Sequence, residues 1–273
     1  EYLPSSLYRH PAWIAWKASL GWEPIKACEG IVLLARRLGP GASMVYATAP
    51  SSLFDPVAAD EDEDPDYGAA LEGLSLELLS YLPGDCAFIR WDLILPAWTD
   101  AQGLALDTRL QEMRMNAPTR HRRFRKAYSE ATCLDTMVVA LDGGPQAIDS
   151  GLDYRTRYSV RLADRRGTVV RRVGEAGLPA FHGLQRKTSA RHGLALHPES
   201  SYRGLFRAAR EEGLDLDLYL ADLMGEATAA AIIARHGADA WYLFAASSPE
   251  HRASAGPTAI LYRALHDCEE AGL

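Results

Sequence analysis

Leu216-Asp-Leu-Tyr-Leu-Ala-Asp-Leu223-Met-Gly-Glu226-Ala-Thr-Ala-Ala-Ala-Ile-Ile-Ala-Arg235 decides the fold. Residues 216–223 predict a strand, Met224-Gly225-Glu226 a tight turn, and 227–235 a returning strand of small residues. The aromatic run Trp241-Tyr-Leu-Phe244 predicts a third strand over 240–246. The loop Arg252-Ala-Ser-Ala-Gly256-Pro257 then leads into a long helix over 257–271. Working outward, 152–166, 178–192 and 202–212 predict helices and 168–172 a strand. The turn Asp142-Gly-Gly-Pro145 marks the expected boundary between a domain over 1–143 and one over 144–273. Ahead of it, Trp13, Trp16 and Leu20 recur at helical spacing within 6–20. Strands over 25–37 and 41–50 join at Leu38-Gly-Pro-Gly41. A helix over 71–82 and strands over 86–93 and 136–141 complete that half. The class is α+β, with mixed sheets flanked by helices, and the two halves read as weak echoes of one unit.

The chain of 273 residues is 48% hydrophobic and 24% charged, enough apolar material for a real core. No window approaches a transmembrane run and no signal peptide is read, so a cytoplasmic protein is expected. Cys28, Cys86, Cys133 and Cys268 form no C-x-x-C pair and lie near no His at zinc-finger spacing. Neither a metal site nor a disulfide framework is expected, and no cofactor.

A net charge of −7 argues against non-specific nucleic-acid binding, but the charge is unevenly spread. The run from Asp60 to Asp66 is acidic and reads as a solvated loop. Arg120, Arg122, Arg123, Arg125 and Lys126 are clustered, and Arg122 and Arg125 either face a phosphate-bearing partner or pair with the acidic run. Tyr154-Arg-Thr-Arg-Tyr-Ser-Val-Arg-Leu-Ala-Asp-Arg-Arg-Gly167 is a basic helix. Arg157, Arg161 and Arg165 are four apart and stack on one helical face, a row suited to phosphates. A solvated Arg-rich face is the plainer alternative. Gly167 is a stop signal.

Two resemblances follow from these motifs. The hairpin, small-residue strand, aromatic strand, loop and helix of the second half resemble the order in GNAT acyltransferases. CoA-using members cradle a pyrophosphate in an R/Q-x-x-G-x-G/A loop. In this chain the glycines are displaced and Pro257 removes a donor, so CoA is not the expected donor. Five ordered segments resemble the FemABX family, the aminoacyl-tRNA-dependent transferases of peptidoglycan precursors. They are Pro11-Ala-Trp-Ile-Ala-Trp-Lys-Ala-Ser-Leu-Gly-Trp22, Phe88-Ile-Arg-Trp-Asp92, Leu134-Asp-Thr-Met-Val-Val-Ala-Leu141, Thr188-Ser-Ala-Arg-His-Gly193 and Tyr242-Leu-Phe-Ala-Ala-Ser-Ser-Pro-Glu-His-Arg252, and the basic helix at 154–167 resembles a further segment of the family. Ser159 and Val160 stand where the family has Asn-Ile.

The resemblance implies two tandem GNAT-like domains with a substrate channel between them, and no coiled-coil arm. It implies transfer of an amino acid from aminoacyl-tRNA to the stem-peptide amine of a nucleotide-linked or lipid-linked muramyl-pentapeptide, with peripheral association at the inner membrane face. Lys17 and Arg191 then bind the precursor's diphosphate, and Asp92 and Tyr242 line the acceptor channel. Asp92 would hold or deprotonate the incoming ammonium. Tyr202 stands in for a second channel tyrosine, and Arg122, Arg125, Arg157 and Arg161 would contact tRNA. The plainer readings are a solvated Lys17, a helix-capping Arg191, a turn-forming Asp92 and a core Tyr242. No G-x-S-x-G motif or Cys beside a His supplies a nucleophile, so direct attack by the amine is expected. His251 either carries a proton or orders its loop. The alternatives are a GNAT-like N-acyltransferase with another donor and a non-catalytic binding protein on a degenerate GNAT scaffold. The donated amino acid and the oligomeric state stay open.

Overall fold

The computed structural model describes residues 6–27, 31–48, 67–93, 124–125, 127 and 136–273. The chain separates into two compact units, one of Glu1–His10 with Lys17–Thr136, the other of Pro11–Trp16 with Met137–Leu273.

The expected helix over 6–20 is two helices, α1 (Ser6–Arg9) and α2 (Pro11–Ser19). The His10 N–H turns back to Leu7 O at 3.0 Å, and Pro11, which has no N–H to offer, opens the next helix. The first unit holds a sheet in the order β1 (Glu23–Lys26), β2 (Val32–Gly39), β3 (Ala42–Thr48) and β4 (Cys86–Asp92). The first three strands are antiparallel and β4 runs parallel to β3. A parallel neighbour requires a crossover, and α3 (Tyr67–Glu77) lies in it, continued by a 3-10 turn over Leu78–Tyr81. Leu33, Ala35, Val45 and Ala47 pack with Leu78, Ile89 and Trp91 on one face of the sheet. Because successive side chains alternate, the opposite face receives Arg36, Tyr46, Thr48, Arg90 and Asp92, which the strand register aligns.

Residues 136–141 form no strand, contrary to the sequence expectation. Met137 is 88% exposed, and no described strand pairs with the segment. β-Branched residues favour a strand only where a ladder and a packed face receive them.

The second unit opens with α4 (Gly144–Gly151), which the sequence reading missed, and α5 (Tyr154–Arg165). Its sheet runs β5 (Val169–Arg172), β6 (Asp215–Leu223), β7 (Glu226–His236) and β8 (Asp239–Ser247). It is antiparallel throughout rather than mixed, since two-residue turns join β6 to β7 and β7 to β8. Met224 and Gly225 both have positive φ at the first turn. α6 (Leu178–His192) and α7 (Glu199–Glu212) cover one face, where Phe181, Leu184, Tyr202 and Phe206 pack on Leu218, Leu220 and Ile232. α8 (Gly256–Glu270) covers the other, with Ile260 and Ala264 against Tyr219, Ala221, Ala229 and Ala231. The alanines let the helix lie close to the sheet. A Cβ on Gly256 would meet Thr228 Oγ1 at 2.8 Å and Ala229 Cβ at 3.0 Å.

Pro11–Trp16 belongs to this second core. The Trp16 indole N–H donates to Ser201 O at 2.9 Å, and its ring meets Phe244 edge-on at 5.9 Å. Among the described residues no helix is long and apolar enough to cross a membrane.

Candidate functional site

In the first unit the polar face of the sheet carries one predicted residue, Asp92, and Lys17 lies at the end of α2. Asp92 ends β4 opposite Thr48, and its Oδ2 accepts the Tyr46 hydroxyl proton at 2.6 Å. Burial, then the Asp92 carboxylate, pushes the Tyr46 phenol far above its ordinary range, so it stays a neutral donor. Lys17 sits in the last turn of α2. Gly21, in the left-handed region at φ +84°, lets the Trp22 N–H reach back to Lys17 O at 3.2 Å. This closure sets Trp22 beside Lys17 along the chain, and Trp22 meets Tyr46 at 6.3 Å between ring centroids. The Arg36 guanidinium lies over the Trp22 ring at 5.3 Å. Burial, and then the Arg36 charge, lower the pKa of Lys17. The sequence reading quoted Trp22 within a family-like segment and gave no role to Trp22, Tyr46 or Arg36. The alternation of β2 and β3 could have placed Arg36 and Tyr46 on one face, but their partner Asp92 arrives through a crossover no periodicity reveals.

In the second unit α6 lies along the outer edge of β8. Gln185 Nε2 donates to Ala245 O at 3.3 Å, and Thr188 Oγ1 donates to Ser247 O at 3.3 Å and accepts from Ser247 N at 3.2 Å. These side chains satisfy backbone groups that an edge strand otherwise leaves open. Arg191 ends α6, exposed, with its Nε donating to His192 Nε2 at 2.9 Å. It does not cap the helix: Gly193, at φ +65°, does. Tyr242 on β8 is 44% exposed and therefore not a core residue. Tyr202 is a correction. It is 2% exposed, with Phe181 at 4.9 Å and Phe244 at 5.4 Å edge-on, and burial pushes its pKa up to about 12. A ring so enclosed offers no surface to a bound molecule.

The basic helix is capped as its sequence predicts. Asp153 accepts from Thr156 N at 2.6 Å, and at the other end Thr168 N reaches Ala163 O at 2.9 Å past Gly167. Its arginines are not one open row, however. Arg157 donates to Leu152 O and Arg165 lies over the Tyr158 ring at 5.7 Å, while Arg161 is exposed. Arg125 is exposed, and Arg122 lies outside the described residues.

Ahead of α8, His251 Nε2 pairs with Glu226 Oε2 at 2.9 Å, tying the loop to the β6–β7 hairpin end. Glu250 accepts from Ser248 and from Lys187; the Ser248 hydroxyl above all holds its carboxyl down to about 2. The Gly256 N–H bonds Ser254 Oγ at 3.1 Å and Pro257 has none, so neither is available to a pyrophosphate. Among the described residues no group of three His, Cys, Asp or Glu is placed to hold a metal ion.

The FemAB family model matches residues 107–224. The lipid II:glycine glycyltransferase of Staphylococcus aureus is 33% identical over 88 residues, which is 32% of this chain and 21% of that enzyme. The matched stretch thus spans about a fifth of the relative's length. The crystal structure of FemX aligns over 100% of this chain and 86% of its own, at a TM-score of 0.61 and 18% identity. A conserved protein of unknown function from Bacteroides thetaiotaomicron aligns over 94% of this chain and 76% of its own, at a TM-score of 0.50 and 8% identity. Both structural likenesses concern the fold. Motif order, the family match over residues 107–224 and the fold are each similar to those of the FemABX family.

Proposed function

We propose that the chain is an aminoacyltransferase that moves an amino acid from aminoacyl-tRNA to the stem-peptide amine of a peptidoglycan precursor, on two GNAT-like domains. The observation that carries the reading is the polar sheet face, where Asp92, held by Tyr46, shares a surface with Arg36 and Arg90, and the Arg36 charge acts on Lys17. The match to the FemAB family supports it, as does a relative whose name describes glycyl transfer to lipid II.

In this reading Lys17 and Arg191 hold the precursor's diphosphate, and Asp92 and the exposed Tyr242 contact the acceptor peptide. Asp92 takes the proton of the incoming ammonium, and the free amine attacks the ester carbonyl of the aminoacyl-tRNA. The C–N bond forms, the amine's second proton passes to the ribose oxygen, which leaves as the tRNA hydroxyl, and the ester already carries the activation, so no ATP is consumed. Positioning contributes roughly 7–11 kcal/mol at best, and a donor to the oxyanion about 3–4 kcal/mol more. Arg161, Arg125 and Arg122 are proposed tRNA contacts, Arg157 less directly because its guanidinium already serves Leu152 O. The protein would work at the inner membrane face, where a lipid-linked acceptor resides. The engaged Gly256 N–H and the missing Pro257 donor weigh against acyl-CoA as the donor.

The test is transfer of radiolabelled amino acid from a charged tRNA pool to nucleotide-linked and lipid-linked muramyl-pentapeptide. Transfer that collapses in Lys17→Ala and Arg191→Ala supports the reading. No transfer to either acceptor from any aminoacyl-tRNA sinks it and favours another donor.

A further inference from the structure

We propose that Arg36 is an anion-binding residue that joins Lys17 in gripping the precursor's diphosphate, its guanidinium held in place on the Trp22 ring. The inference rests on the diphosphate role given to Lys17 above.

Charge balance on this face is the first argument. The strand register puts Lys26, Arg36, Arg90 and Asp92 on one side of the sheet, and Asp92 is the only acidic residue there among the described strand residues. Lys26, Arg36 and Arg90 thus share one face, and the Arg36 charge acts on Lys17. The carboxylate itself is engaged by Tyr46 at 2.6 Å.

Preorganisation is the second. Arg36 is exposed on a strand that Leu33 and Ala35 anchor in the core. Its guanidinium lies 5.3 Å from the centroid of Trp22, and Trp22 is fixed by the closure at Gly21 and by its contact with Tyr46 at 6.3 Å. A stacked guanidinium keeps its N–H edge for a ligand and loses little freedom on binding. Burial first, and then the Arg36 charge, disfavour the Lys17 ammonium, and a doubly charged ligand between the two cations would favour it. A planar fork beside a point charge also suits the adjacent phosphates of a diphosphate.

The experiment measures equilibrium binding of nucleotide-linked muramyl-pentapeptide, lipid-linked muramyl-pentapeptide in micelles, and the phosphate-free muramyl-pentapeptide. The proteins are wild type, Lys17→Ala, Arg36→Ala and Arg36→Lys. Arg36→Ala is expected to weaken both diphosphate-bearing ligands roughly tenfold or more and leave the phosphate-free peptide unchanged. Arg36→Lys should recover part of the loss. A loss with only one carrier supports the proposal and identifies the source of the diphosphate. If Lys17→Ala weakens binding and Arg36→Ala does not, this inference fails and the diphosphate reading stands. If neither variant changes binding, the diphosphate reading itself fails and takes the inference with it. An equal loss for the phosphate-free peptide would make Arg36 a structural residue and overturn the proposal.

Discussion

Tyr46 and Asp92 meet across the parallel junction of β3 and β4, phenol to carboxylate at 2.6 Å, two residues along β3 from the register pair Thr48 and Asp92. The bond fixes one carboxylate oxygen at the end of β4. If Asp92 accepts the acceptor's proton, Asp92→Asn should lower kcat by about 10²–10⁴ with little change in precursor affinity. Tyr46→Phe keeps the carboxylate and should cost less, on the order of tenfold in kcat. Single-turnover transfer at saturating precursor separates the two, and an Asp92→Asn enzyme of wild-type rate would remove Asp92 from the chemistry.

The close approach of α8 to its sheet makes a second prediction. Gly256→Ala places a methyl group against Thr228 and Ala229 at 2.8 and 3.0 Å. Overpacking of this kind costs about 1–3 kcal/mol. Urea denaturation should show the midpoint falling with an unchanged slope.

Thr188 offers a third. Its hydroxyl makes both a donated and an accepted bond to Ser247. Thr188→Val keeps the shape and leaves that edge amide and carbonyl without their partner, at about 1–3 kcal/mol. Thermal melts of the variant beside Thr188→Ser, which keeps the hydroxyl, report the difference.

Glu250 gives a pH dependence of definite sign. Its folded-state pKa is depressed to about 2, chiefly by Ser248. Its contribution to stability is therefore present above the ordinary carboxylate range and lost as pH falls through about 2. The stability gap between wild type and Glu250→Gln should be constant near neutrality and close below that value. A gap that persists in strong acid would show that packing, not charge, distinguishes the two.

The second unit was largely legible in the sequence. The 178–192 helix, the hairpin at Gly225 and the aromatic strand carry strong local signals, because each buries one face of regular period. Residues 136–141 have the composition of a strand and lack its ladder, since pairing is decided by tertiary context that composition does not encode. The site divides similarly. Lys17, Arg191, Asp92 and Tyr242 were singled out through motif order, and the structure describes each of them. Tyr202 was misjudged because an aromatic residue near a motif looks the same whether it lines a surface or fills a core. The Tyr46 and Arg36 contacts depend on register across β2, β3 and β4, which one sequence does not disclose.

The tryptophan pair of α2 bears on how the protein can be dissected. A fragment cut at the midpoint, carrying 137–273 alone, would lack Trp13 and Trp16 and with them the indole bond to Ser201 and the lid on Phe244. Such a fragment would be an unfinished fold with a tryptophan-shaped vacancy, prone to self-association through it. A synthetic peptide spanning Pro11 to Trp16 should then complement it in trans. The boundary of folding in this chain and the midpoint of its sequence are different places.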